Sequence, residues 1–135
     1  MIDKATREKI ISLIRREVVP ALGCTEPIAV SLAVAKATEL LGMQPEEINL
    51  GLSGNIIKNA MGVGIPGTGM IGLPIAIALG SLIGKSEYGL EVLKEVSPEA
   101  VDRGKAFIES VPINIKHLPD SPSNLHVDVE VRAQG

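Results

Sequence analysis

The chain has 135 residues, of which 45% are hydrophobic, and a formal net charge of -3 at pH 7. This length fits one modest domain with a real apolar core, and the hydrophobic content excludes a disordered segment. One Phe, one Tyr and no Trp occur, so the chain lacks the aromatic platforms and the basic charge with which single-stranded nucleic acids are bound. Nucleic acid is therefore not an expected partner.

The longest uncharged stretch lies between Lys58 and Lys85, and it is long enough to cross a bilayer. Glycines and Pro66 interrupt its first half, and such backbone would leave polar groups without partners in lipid. The stretch is therefore predicted to be a buried core segment. The N-terminus has no secretory pattern, and the single cysteine, Cys24, excludes an internal disulfide. A cytoplasmic location is expected.

The hydrophobic pattern predicts an α+β fold with a helical N-terminal part, a buried glycine-rich loop and two or more β-strands at the end. Residues 4–19 place their apolar side chains on one helical face, which predicts an amphipathic first helix. Thr25, Glu26 and Pro27 suit the start of a second helix that runs to about Leu41. The later predicted elements are a strand at 48–52, helices at 56–61, 73–83 and 100–109 (the last capped by Ser97), and strands at 111–116 and 125–132.

The sequence ends directly after the strand predicted at 125–132. A domain usually covers its last sheet edge with a further tail or helix, so this ending indicates a cut inside a larger protein. We expect residues 1–135 to be the N-terminal portion of that protein. Residues 1–110 are predicted to be mainly helical, and 111–135 to form strands.

Cys24 lies directly before a predicted helix, where unpaired backbone N–H groups favour a thiolate. A thiolate is what a metal ligand or a nucleophile requires, but one cysteine cannot complete a three-thiolate or four-thiolate centre. The alternative is a small apolar residue in a tight turn. The two histidines, His117 and His126, lie in the predicted C-terminal strands, so the sequence leaves a cysteine–histidine pair open.

The segment SGNIIKN at 53–59 contains a candidate site for a small carboxylate. If it is helical, Asn55, Lys58 and Asn59 share one face, and two amides with an ammonium group suit a carboxylate. A solvated helix face is the alternative. The loop GVGIPGTGMIG that follows offers backbone N–H groups and a hydroxyl, or it is a tight connection between buried helices. The candidate ligand-binding residues are Ser53, Asn55, Lys58, Asn59, Gly67 and Thr68.

The segments ALGCTEPIA at 21–29, SGNIIKNAM at 53–61 and GIPGTG at 64–69 resemble the N-terminal motifs of the L-cysteine desulfidase family, which is related to the alpha chain of iron–sulfur L-serine dehydratases. The resemblance runs from about Ile10 to Arg132. It implies a lyase that eliminates sulfide from L-cysteine, or water from L-serine, to give pyruvate and ammonia. It also implies a 4Fe–4S cluster held by three cysteines, one of which is Cys24.

The other two cluster ligands lie far downstream in that family and have no counterpart in this chain. The resemblance therefore implies that the chain alone is inactive and binds no cluster. The partners it implies are an amino-acid substrate and a missing C-terminal portion or partner chain, and a homo-oligomer is possible. Lys58 would hold the substrate carboxylate or act as the base that removes the α proton. The alternative function is a small-carboxylate or amino-acid-binding domain without catalysis.

Overall fold

The computed structural model describes residues 7–15, 25–60, 64–65, 70–118 and 125–133. It confirms the α+β class. The strands are β1 (Arg7–Arg15), β2 (Glu47–Leu52), β3 (Gly64–Ile65), β4 (Met70–Ile71), β5 (Ile113–His117) and β6 (Leu125–Ala133). The helices are α1 (Thr25–Leu41), α2 (Gly54–Ala60), α3 (Leu73–Leu82) and α4 (Pro98–Ser110), with a 3₁₀ segment at Ser86–Glu91.

The amphipathic helix predicted at 4–19 is wrong, because Arg7–Arg15 form strand β1. This strand pairs antiparallel with β6, from Arg7 opposite Ala133 to Arg15 opposite Leu125. The isoleucines of this segment favour a strand, and β6 offers an edge along the whole of β1. A local periodicity cannot reveal such a distant partner, so the helical pattern was misleading. The part predicted to be mainly helical therefore also contains strands.

The other predicted elements are confirmed within one to three residues at their ends. Helix α1 ends at Leu41, and Gly42 follows with a φ of 83°, the left-handed conformation that glycine adopts without strain. Ser97 caps α4 as predicted, since its side chain accepts a hydrogen bond of 3.1 Å from the backbone N–H of Ala100. The predicted glycine-rich loop lies mostly outside the described residues; β3 and β4, which pair antiparallel, are the described parts.

Four strands form a mixed sheet in the order β1-β6-β2-β5. Strand β6 is antiparallel to β1 and β2, whereas β2 and β5 are parallel. Burial alternates along β2 and β6, which is the pattern of a sheet with one covered face. The covered face presents Ile48, Leu50, Leu52, Val127, Val129 and Val131 to the helices. The opposite face is polar, and Asn49 donates hydrogen bonds to Glu47 and Glu130 on it.

Helix α3 lies at the centre of the helical layers. It packs against α1 and α4, and its residues from Ile75 to Ser81 are all buried. A Cβ atom at Gly80 would lie 2.6 Å from the backbone oxygen of Ser31, so glycine permits the close crossing of α3 and α1. The buried position of α3 confirms that the uncharged stretch contributes to the core. In the described ranges, no helix has the length and apolar character needed to cross a membrane.

Candidate functional site

The carboxyl ends of the parallel strands β2 and β5 meet at one edge of the sheet. Leu52 and His117 are paired there, and the N–H of Leu118 donates a hydrogen bond of 2.9 Å to the oxygen of Leu52. Helix α2 begins at Gly54, directly after this point. Ligands of open α/β sheets commonly lie beyond the carboxyl ends of parallel strands. This edge is therefore a candidate location for a binding site.

Ser53 joins the end of β2 to the start of β6. Its side chain is buried, its N–H donates to the oxygen of His126 at 3.0 Å, and its Oγ accepts from the N–H of His126 at 3.2 Å. The predicted ligand-binding hydroxyl is thus already engaged inside the fold. Its observed contacts fix the direction in which α2 leaves the sheet.

His117, the last residue of β5, lies beside Gly54, the first residue of α2. A Cβ atom at Gly54 would lie 3.0 Å from Nε2 of His117, so the missing side chain leaves room for the imidazole against the first residue of the helix. His117 is exposed. Its position beside α2 was not predicted from the sequence, in which His117 was a candidate partner for Cys24. Only the parallel pairing of β2 with β5 reveals that position.

Asn55 and Lys58 are exposed on α2 and lie one helical turn apart, so they share a face. Ile56 is fully buried in the core and holds the helix to the sheet. No acidic residue occurs in α2, and Lys58 is its basic residue. Asn55 and Lys58 are thus exposed on the helix whose first residue, Gly54, lies beside the imidazole of His117.

The remaining predicted site residues are not placed by the structure. Asn59 belongs to α2, but its side chain lies outside the description, as do Cys24, Gly67 and Thr68 altogether. The roles predicted for these residues, and the role of Lys58 as a base, stay predictions. Among the residues that the structure describes, no group of three or more His, Cys, Asp or Glu side chains could hold a metal ion.

The second histidine, His126, lies on the polar face of the sheet. Its Nε2 is 3.0 Å from Oδ2 of Asp128, and 12% of its side chain is exposed. Its Nδ1 is buried without a hydrogen-bond partner in the described part of the chain. The contact with Asp128 requires a proton on Nε2. The side chain of His126 is therefore engaged with Asp128 on the polar face of the sheet.

The chain is similar to bacterial proteins named UPF0597 protein. The identity is 64% over 135 residues with one from Phocaeicola vulgatus, 61% over 132 residues with one from Bacteroides fragilis, and 46% over 132 residues with one from Aeromonas hydrophila. These matches cover 100%, 98% and 98% of this chain and 31%, 31% and 30% of the relatives. The chain thus spans about a third of their length. No family model matches it.

These names correct the family assignment made from the sequence motifs. The relatives carry the name UPF0597 protein and not that of an L-cysteine desulfidase or an iron–sulfur L-serine dehydratase. The assignment to that family is therefore withdrawn. Two predictions that depended on it are withdrawn as well: the elimination of sulfide or water from an amino acid, and the 4Fe–4S cluster.

Proposed function

We propose that this chain binds a small carboxylate on the exposed face of α2, beside the carboxyl ends of β2 and β5. The observation that carries the proposal is the contact of His117 with Gly54. This contact brings an imidazole to the helix on which Asn55 and Lys58 are exposed. An ammonium, an amide and an imidazole are all hydrogen-bond donors, and a carboxylate offers two oxygens that accept.

The charge of α2 favours an anion over a cation. Lys58 is cationic at neutral pH, and the helix sequence GNIIKNA contains no carboxylate to repel the ligand. Hydrogen bonds between an ionised donor and a carboxylate are stronger than neutral ones. Lys58 therefore supplies most of the affinity, whereas Asn55 and His117 supply direction.

The fold holds this face in a fixed position. Ile56 is anchored in the core, and Ser53 is bonded to His126 through its N–H and its Oγ. A site on an anchored helix loses less conformational entropy on binding than a site on a free loop. Ser53 thus belongs to the site as a support, and Asn59, Gly67 and Thr68 are proposed to complete it.

The binding site is proposed as one part of a longer protein's activity, because the matched region makes up 31% of the Phocaeicola vulgatus relative. The remaining parts of such a protein, or a partner chain, would supply whatever chemistry follows binding. A reducing, cytoplasmic environment suits a chain with a single cysteine.

The test is a titration followed by ¹⁵N–¹H NMR with acetate, L-serine and methylammonium as probes. Acetate and L-serine should shift the amide signals of Asn55, Lys58 and His117, and methylammonium should not. Lys58→Met should weaken acetate binding about tenfold, which matches the loss of about 1.5 kcal/mol for a hydrogen bond to a charged group.

Lys36→Met is the matched control, because Lys36 is an exposed lysine on α1. It should leave the acetate affinity unchanged. Equal affinity of the two variants would show that Lys58 makes no contact with the carboxylate, and the proposed site would then be wrong.

A further inference from the structure

The imidazole of His117 lies where the first residue of α2 has no side chain. Its Nε2 is 3.0 Å from the position that a Cβ atom of Gly54 would occupy. Gly54 and Lys58 are four residues apart in the same helix, so they share one helical face. His117 therefore lies beside the helical face that carries Lys58, although the two residues belong to different elements.

Lys58 and His117 lie within reach of one small ligand. Cβ atoms four residues apart on a helix are about 6 Å apart, which places Nε2 of His117 within about 9 Å of the Cβ of Lys58. The lysine side chain is exposed and flexible, so its ammonium group can approach the imidazole or turn away from it. A ligand with two acceptor groups on a short spacer can contact both donors at once, whereas a single carboxylate reaches both only if the lysine bends towards the ring.

Both elements that carry these donors lack acidic side chains. The sequences are GNIIKNA in α2 and INIKH in β5, and neither contains Asp or Glu. Within the described part of the chain, the side chains of Lys58 and His117 make no hydrogen bond or ion pair. An ammonium group and an imidazole N–H both donate hydrogen bonds, and a carboxylate accepts them. Each of the two donors can therefore take a carboxylate of its own.

We propose that this site selects a dicarboxylate with a short spacer, in which one carboxylate binds Lys58 and the other accepts a hydrogen bond from Nε2 of His117. The inference rests on the carboxylate site proposed above and names its ligand class. An amino acid fits less well, because its ammonium group would face hydrogen-bond donors only. His117 is thus the residue that distinguishes dicarboxylates from monocarboxylates.

The test compares the affinities of succinate, acetate and sulfate by ¹⁵N–¹H NMR titration at neutral pH. About 0.15 M salt screens charges that lie farther away than about 8 Å. Succinate should bind about tenfold more tightly than acetate, as one added hydrogen bond to a charged group provides. Sulfate carries its charge on a single centre and should bind no more tightly than acetate.

His117→Phe keeps a ring against Gly54 but removes the donor. It should lower the preference for succinate over acetate to about twofold, which is the advantage of two equivalent ends, while the acetate affinity changes little. Lys58→Met should weaken both ligands. Lys116→Met is the matched control, because it removes a charge at the adjacent residue of β5. Successive residues of a strand face opposite sides, and Lys116 lines a groove with Asp128 on the polar face, so the preference should stay unchanged.

Equal affinities of succinate and acetate at the signals of α2 would overturn the dicarboxylate proposal and leave the carboxylate site standing. If neither ligand shifts those signals, both proposals are wrong. Sulfate that binds as tightly as succinate would show that net charge selects the ligand, and so would a preference that His117→Phe and Lys116→Met reduce equally. Either result would overturn the dicarboxylate proposal.

The ring ¹⁵N signals of the parent chain decide the question even if His117→Phe fails to fold. Succinate should shift the ring signals of His117 more than acetate does. The ring of His126 is engaged with Asp128, so its signals should not move and serve as an internal reference. Equal shifts of His117 with the two ligands would mean that the second carboxylate does not reach the imidazole, and the proposal would then be wrong.

Discussion

Helices α2 and α3 differ in how deeply their side chains are buried. Every residue of α3 from Ile75 to Ser81 is buried between α1 and α4. In α2, by contrast, Ile56 is buried while Asn55 and Lys58 are exposed. Helix α3 is apolar on all sides, as core helices are. Helix α2 exposes polar side chains beside the end of a strand. Helix α3 therefore contributes to the core along its whole length, whereas α2 carries the site proposed above.

The largest effect should come from removing side-chain volume in α3. Ile77 is 0% exposed, and Ile77→Ala should lower the free energy of unfolding by about 4 kcal/mol through lost burial and a cavity. Ile57→Ala in α2, where the isoleucine is only half-buried, should cost about 1 kcal/mol. Urea denaturation at constant m value measures both. Equal losses would mean that α2 is as deeply integrated in the core as α3.

The second effect tests the close crossing of α3 with its neighbour. Gly80→Ala would place a Cβ atom 2.6 Å from the backbone oxygen of Ser31, and because the backbone of α1 cannot move away freely, we expect a loss of about 2 kcal/mol. Gly104→Ala, in α4, meets the terminal Cδ1 of Ile75 at 2.8 Å. That methyl group can rotate away, so the cost should stay below about 1 kcal/mol and be offset by helix propensity.

Thermal unfolding of both glycine variants measures this difference, since the two substitutions add the same atom in two helices. A Gly80→Ala protein as stable as the Gly104→Ala protein would show that α1 and α3 are not held as closely as the structure indicates.

The sequence was most informative where a structure is determined locally. The buried character of α3 and the cap at Ser97 follow from neighbouring residues, and both predictions are confirmed. Strand β1 was predicted wrongly because its partner β6 lies more than 100 residues away in the chain. The spacing of its isoleucines also fits a helix. The segment forms a strand because it pairs with β6.

In the candidate site, too, features determined by neighbouring residues were predicted, and features that depend on distant strand pairing were not. Asn55 and Lys58 were found from their spacing on one short helix. The contact of His117 with Gly54 depends on the parallel pairing of β2 and β5, which no local pattern contains. A glycine at the start of a helix and a histidine at the end of a strand gave no combined signal in the sequence. Tertiary pairing alone brings them together.

The smallest effect concerns an exposed side-chain contact within the connection between α3 and α4. The hydroxyl of Tyr88 donates a hydrogen bond of 3.0 Å to Glu95, and Lys85 lies 3.4 Å from the same carboxylate. The Tyr88 hydrogen bond first, and then the charge of Lys85, hold the pKa of Glu95 below its ordinary value of 4.5. A carboxyl group with a lowered folded-state pKa stabilises the fold above its ordinary pKa, and this contribution is lost as the pH falls through the lowered value.

Glu95→Gln should therefore melt slightly below the parent chain at pH 7, and the two melting curves should converge as the pH is lowered from 4.5. Because the pair is exposed, salt should reduce the difference at pH 7. Melting temperatures between pH 7 and about pH 2, with and without about 0.5 M NaCl, test both statements. A difference at neutral pH as large as that of Gly80→Ala would mean that this surface contact, and not the buried crossing of α1 with α3, fixes the position of the central helix.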